Sequence, residues 1–116
     1  MNIQHGHLYL ADLNPTRGAE PGKLRPVVVI QTDLLSSTGH PSTWVLPCTT
    51  NLLGENILRV PLPVGVAGNQ KACEVMVDQS RAIDNKRLRA ELGTLPPHLL
   101  HQLKTKLLAL CDANFP

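Results

Sequence analysis

Apolar residues arrive along this chain in short bursts, then switch near the C-terminus to a helical period. Leu8-Tyr9-Leu10-Ala11 is closed by Asp12-Leu13-Asn14-Pro15, and Asn-Pro is a turn signal, so a strand running into a loop is predicted. Val27-Val28-Val29-Ile30 is a run of four β-branched residues and predicts a strand buried on both faces, with Pro26 tolerated at its first position. Thr32 then suits the cap of a single helical turn through Leu35. Trp44-Val45-Leu46 predicts a further strand, ending at Pro47-Cys48-Thr49-Thr50. Ile57-Leu58-Arg59-Val60-Pro61-Leu62 alternates but contains a proline that cannot donate to a ladder, which predicts an edge strand. Residues 64–70 read as a glycine-containing loop, Cys73-Glu74-Val75-Met76-Val77 as a strand, and Ala82-Ile83-Asp84 as the strand after it.

From Pro96-Pro97 onward the period changes. Leu99, Leu100, Leu103, Leu107, Leu110 and Cys111 fall on one side at 100° per residue, with His101, Gln102, Thr105 and Asp112 mostly opposite. Prolines are accommodated in a first helical turn, so an amphipathic helix is predicted, its leucine stripe serving the core or a dimer contact. Short strands followed by one such helix predict an α+β arrangement, a small antiparallel β-barrel with the C-terminal helix packed on one side.

Composition narrows this picture. With 116 residues there is room for one core, so the whole chain, 1–116, is read as one domain. Charged residues are only 17 %, which in so small a body suggests apolar surface covered by a partner, a dimer being the simplest. A net charge of +2 is not that of a nucleic-acid coat, so any nucleic-acid site must be local. Aromatic residues are 3 %, too few for a base-stacking platform. Cys48, Cys73 and Cys111 have neither the spacing of a zinc site nor a C-x-x-C pair and read as reduced, semi-buried thiols. Residues 1–10 lack a secretory pattern and no segment reaches the roughly 20 apolar residues of a membrane span, so the expected location is the cytoplasm.

The motifs of nucleotide-triphosphate binding, zinc proteases, serine hydrolases and dinucleotide binding are missing, and no metal or cofactor is expected. His98 and His101 have a metal-compatible spacing but read equally as exposed helix residues, and His5 and His7 share one side of a strand as candidate acids or bases. The stretch Arg17-Gly18-Ala19-Glu20-Pro21-Gly22-Lys23-Leu24-Arg25-Pro26 stands out. Its glycines permit close backbone approach, while Lys23 and Arg25 supply a point charge and a planar fork suited to phosphate oxygens. On pattern alone it is either a phosphate site or a solvated charged loop.

Three segments resolve that choice by resemblance. Gly6-x-Leu8-Tyr9-x-Ala11-Asp12-Leu13-Asn14-Pro15-x-x-Gly18-x-Glu20-x-x-Lys23-x-Arg25-Pro26-Val27-Val28-Val29 resembles the opening signature of MazF/PemK toxins. Val45-Leu46-Pro47-Cys48-Thr49-Thr50 is similar to the strand that ends in that family's threonine pair, and Val77-Asp78-Gln79-Ser80-Arg81-Ala82-Ile83-Asp84 to its D-Q-x-R-x-I-D segment. The resemblance covers almost the whole chain; residues 32–42 and 61–71 match only in place. It implies a Src-homology-3-like barrel of the CcdB/PemK kind with a C-terminal helix, a homodimer, and metal-independent endoribonuclease activity on short single-stranded RNA sequences. It also implies neutralisation by a MazE-like antitoxin, with the complex binding operator DNA.

Carried over position by position, Arg25 and Thr49 match the family's catalytic arginine and threonine, Glu20 matches a nearby loop acid, and Thr50 is a one-residue alternative to Thr49. Arg17, Gly18, Lys23, Gln79 and Arg81 are the candidates for holding the RNA backbone and reading bases. Glu20 or a histidine would be the base. Two positions depart from the pattern: His7 stands where the family usually has an acid, and Met76 where some PemK-type members carry arginine. Two other functional classes are weighed against this one, a CcdB-like poison of a topoisomerase and a non-catalytic nucleic-acid-binding barrel. The Glu-x-x-Lys-x-Arg-Pro loop counts against the first, and the presence of both Arg25 and Thr49 against the second.

Overall fold

The computed structural model describes residues 1–14, 18, 23–54 and 57–112. Seven strands and two helices follow one another as β1 (His7–Asp12), β2 (Leu24–Val29), α1 (Asp33–Ser36), β3 (Ser42–Thr49), β4 (Arg59–Leu62), β5 (Cys73–Met76), β6 (Arg81–Asp84), β7 (Leu88–Thr94) and α2 (Pro97–Leu110). Pairing is antiparallel throughout, in the order β4-β5-β3-β2-β1-β7, with β6 added to β3. This is the expected α+β arrangement, with the detail that β4 and β7 end the pairing path rather than closing on each other. No helix among the described residues is long and apolar enough to cross a membrane.

Successive strand residues point to opposite faces, and both faces of the central strands are covered. Leu8, Val28, Leu46, Cys48 and Val75 pack on one side with Leu103 of α2, whereas Tyr9, Ala11, Val27, Val29, Val45 and Ile83 form a second cluster on the other. That is why the second half of β2 is three consecutive valines rather than an alternating pattern. The Tyr9 hydroxyl, its ring wholly buried, donates to the Asn2 carbonyl and accepts from the Gln4 N–H, tying residues 2–4 to the core.

Both prolines sit deeper in their strands than predicted. Pro26 is the third residue of β2, paired with Leu10 of β1, but β3 joins β2 only from Val27 onward, so one side of the backbone at Pro26 is an edge. β3 likewise runs through Pro47, opposite Val27, to Thr49. Strand β7, Leu88-Arg89-Ala90-Glu91-Leu92-Gly93-Thr94, was not expected: five of its residues are good helix formers, and pairing with β1 across two register shifts decides its state. In α2 only Leu103 is fully buried; Leu99 and Leu107 lie against the core, while Leu110 and Cys111 at the end of the stripe are exposed.

A 3₁₀ turn at Val66–Gly68 rests on β7 with almost no space between backbones. A Cβ at Gly68, whose φ is +76°, would stand 2.1 Å from the Leu92 carbonyl oxygen. The helical turn α1 is capped as expected, Leu34 N–H donating to the Thr32 hydroxyl at 3.3 Å.

Candidate active site

Strands β2 and β3 carry the candidate residues to one place. Their ladder pairs Val28 with Leu46 and Val27 with Pro47; Arg25 stands two residues beyond the last pair on β2 and Thr49 two residues beyond it on β3. On the other side of β3, Thr49 pairs with Glu74 of β5. The strand ends enclose a cleft of about 180 Å³ lined by Lys23, Leu24, Arg25, Pro26, Cys48, Thr49, Thr50 and Cys73. Larger hollows exist, including one of about 660 Å³ between β4 and α2. Size does not select the site; the convergence of a guanidinium, an ammonium and two hydroxyls does.

Arg25 and Thr49 are held by hydrogen bonds, and Lys23 by its backbone. Arg25 is half-buried and its Nη1 donates to the Cys48 carbonyl at 3.2 Å, which turns the guanidinium fork across the sheet toward the end of β3. Thr49 is buried, and its Oγ1 accepts from the Asn51 N–H at 3.1 Å, so that oxygen's remaining proton is the group it can offer a ligand. Lys23 is exposed and takes a left-handed backbone, φ +68°, unusual for a residue with a side chain. It is fixed by its own N–H donating to Asn14 Oδ1 and by the wholly buried Leu13 donating to its carbonyl, both at 2.8 Å.

Behind Thr49 lies a buried acid that was not anticipated. The Glu74 carboxylate accepts from the backbone N–H groups of Leu53 and Gly54 at 3.1 Å and from Arg59 Nη1 at 2.8 Å, and the same Arg59 nitrogen donates to the Asn51 carbonyl at 3.1 Å. Burial pushes this carboxyl up, but the two backbone donors and the guanidinium outweigh it and hold the group below the ordinary glutamate range. The result is a clamp on residues 51–54, the segment whose first N–H positions the Thr49 hydroxyl. In the sequence Glu74 looked like one residue of a strand and Arg59 like an edge-strand charge; the β4-β5 register unites them.

The remaining candidates are dispersed. Thr50 lines the cleft and is exposed, whereas Gly18 is exposed at φ +57°. Arg81 pairs with Val45, four residues from Thr49, or roughly 13 Å along the strand. Gln79 lies in the turn just before it, its Nε2 donating to Asp78 Oδ2 at 3.5 Å. His7 contacts Glu91 at the end of β1 remote from Ala11, the partner of Arg25, so β7 brings a carboxylate to the position where an acid was missed in the sequence. His5 precedes β1, and His98 and His101 are exposed on α2, outside the residues that line the cleft. Met76 is buried at the end of β5, opposite Arg59. Arg17 and Glu20 lie outside the described residues.

Comparison with known proteins bears on the whole chain. The sequence profile described as PemK-like, MazF-like toxin of type II toxin-antitoxin system matches residues 4–111. The chain belongs to this family. It is 34 % identical over 97 residues to the endoribonuclease MazF of Staphylococcus epidermidis, covering 80 % of this chain and 78 % of that protein. The crystal structure of MazF from Deinococcus radiodurans superposes with a TM-score of 0.81 at 26 % identity, covering 97 % of this chain and 98 % of the other. A crystal structure of the MazE–MazF complex from the same organism gives 0.75 at 26 % identity, covering 97 % of each chain. In this MazF-like toxin Arg25 and Thr49 line one cleft at the ends of β2 and β3.

Proposed function

We propose that this toxin, an endoribonuclease of the MazF type, cleaves single-stranded RNA with Arg25 and Thr49 as its catalytic pair and without a metal ion. The observation that carries the reading is the placement of both side chains in one cleft at the ends of adjacent strands, Arg25 anchored on the Cys48 carbonyl. In the reaction the ribose 2′-OH loses its proton and attacks the neighbouring phosphorus, the bond to the 5′ oxygen breaks, and that oxygen takes up a proton. The products are a 2′,3′-cyclic phosphate, or the 3′-phosphate it hydrolyses to, and a 5′-OH end. Arg25 balances the charge that builds on the phosphorane oxygens, and Thr49 adds a hydrogen bond from the facing strand. Lys23 and Thr50, lining the same cleft, contact the RNA backbone there; Gly18, Arg17, Gln79 and Arg81 extend the track, and Glu20 takes the proton.

The toxin works as one domain in the cytoplasm and as a homodimer. Trp44, Leu108 and Leu110, exposed by 42 %, 55 % and 47 %, surround one hollow and suit coverage by a second copy. An antitoxin's acidic segment lies along Lys23, Arg25 and Arg81 and excludes RNA, and the complex binds operator DNA.

Incubation with a long single-stranded RNA in EDTA, followed by sequencing of 5′-OH ends, tests the reaction. Arg25→Ala and Thr49→Val are each expected to lose about 10²–10³-fold in rate. Cleavage by Arg25→Ala at the wild-type rate, or abolition by EDTA, would overturn the mechanism. Thr50→Val, expected to lose far less, decides between the two threonines.

A further inference from the structure

We propose that Cys48 and Cys73 form an oxidant-responsive thiol pair inside the cleft, and that closing a disulfide between them halts RNA cleavage. Far apart in sequence, the two come together through the β3-β5 register. Cys48 pairs with Val75 and Thr49 with Glu74, so Cys73, two residues before Val75, takes the diagonal position on the sheet face of Cys48. Both line the cleft that holds Arg25 and Thr49.

The two sulfurs are not equivalent. Asn69, itself buried, donates from Nδ2 to Cys73 Sγ at 3.4 Å and is steadied by a second bond to the Leu62 carbonyl at 3.2 Å. Interaction with the neighbouring Cys48 thiol lowers the Cys73 pKa, with Asn69 adding to the effect. The same interaction, together with complete burial, pushes the Cys48 thiol well up. Cys73 is thus the nucleophile and Cys48 the proton-bearing partner beside it.

Hydrogen peroxide supplies the oxidant. The Cys73 thiolate attacks one peroxide oxygen, the O–O bond breaks, hydroxide leaves, and a sulfenic acid forms. Cys48 gives up its proton and attacks the sulfenic sulfur, expelling the oxygen as water. In sum two thiols and one peroxide become a disulfide and two waters. Cys73 is only 3 % exposed, so a water-sized oxidant reaches it through the cleft while a bulky thiol reagent does not.

Diagonal residues of an antiparallel pair stand roughly 7–8 Å apart, whereas a disulfide draws its Cα atoms to about 4.4–6.8 Å. Closure therefore moves the ends of β3 and β5 by an ångström or so. The Cys48 carbonyl, to which Arg25 is anchored, and Thr49, the next residue, move with it. A displacement of about 1 Å at a reacting centre is enough for a loss near 10²-fold. This consequence rests on the Arg25–Thr49 reading; formation of the disulfide does not.

The test uses the full chain with exposed Cys111 replaced, Cys111→Ser, to prevent cross-linking between molecules. The reduced protein is treated with a few equivalents of hydrogen peroxide, denatured, alkylated, and analysed by intact mass and peptide mapping, while cleavage of a fluorescent single-stranded RNA is followed in parallel. The expected result is loss of two hydrogens, a Cys48–Cys73 peptide, a fall in cleavage of about 10²-fold and recovery with a dithiol. Cys73→Ser, compared with its own reduced state, is expected to be indifferent to peroxide, whereas Cys48→Ser is expected to gain oxygen at Cys73 and to form no disulfide. Two thiols still alkylatable after peroxide would overturn the pair, and a formed disulfide with unchanged cleavage would overturn the control. Failure of Arg25→Ala to affect cleavage is a separate result and leaves the mass measurement standing.

Discussion

The clamp behind Thr49 supports a quantitative prediction. Replacing Glu74 by Gln keeps the shape of the side chain but removes its charge, leaving Arg59, whose side chain is 14 % exposed, without its carboxylate. Breaking a buried pair by removing one partner costs about 3–5 kcal/mol, a large share of the roughly 5–15 kcal/mol that holds such a domain together. Arg59→Met, which strands the acid instead, belongs in the same range. The double variant leaves no uncompensated charge, so it is expected to be no less stable than the worse single variant. Urea unfolding followed through Trp44 fluorescence gives all three values and the coupling energy between them. Cleavage at permissive temperature gives the functional half: because the Asn51 N–H positions the Thr49 hydroxyl, Glu74→Gln should lower kcat by about tenfold with little change in KM, a split that global destabilisation does not produce. Single variants that each cost under about 1 kcal/mol and add in the double would mean that the pair behaves as a screened surface bridge, and the reasoning would fail.

Three further outcomes are expected. Acidification should destabilise the toxin: with Glu74 held below the ordinary value of 4.5, the clamp contributes fully at neutral pH and is lost as pH falls from about that value through the folded pKa, so the acid unfolding of Glu74→Gln should be shallower there. Gly68→Ala should cost about 2–4 kcal/mol by combining a left-handed backbone with contact on the Leu92 carbonyl, whereas Gly39→Ala, at φ +81° with nothing within 4 Å, should cost only about 1 kcal/mol; equal values from thermal unfolding would refute the packing argument. Leu103→Ala should cost about 2–5 kcal/mol by the same unfolding curves, because the side chain is wholly buried, and a cost under about 1 kcal/mol would refute its place in the core.

Local chemistry alone made much of this protein legible. A run of β-branched residues with apolar neighbours announces β2 wherever it is placed, and a leucine repeat behind two prolines announces α2, since both signals are periods of the chain itself. The Lys23-x-Arg25-Pro26 motif and the Thr49-Thr50 pair were visible as chemistry, and resemblance set their roles beside one another before any geometry did. What stayed out of reach depends on which strands become neighbours and in what register, because that is set by closure of long loops and by burial on both faces, not by any window of sequence. Strand β7 is built from helix-favouring residues and is a strand because β1 offers it partners. Glu74 meets Arg59 only through the β4-β5 ladder, Cys73 meets Cys48 only through β3-β5, and Arg81, assigned by sequence to the RNA track, lies four residues of β3 away from Thr49. The chain by itself determined which groups were available for catalysis; the tertiary structure decided which of them share a cleft, because strand register converts distant positions into contacts a few ångströms apart.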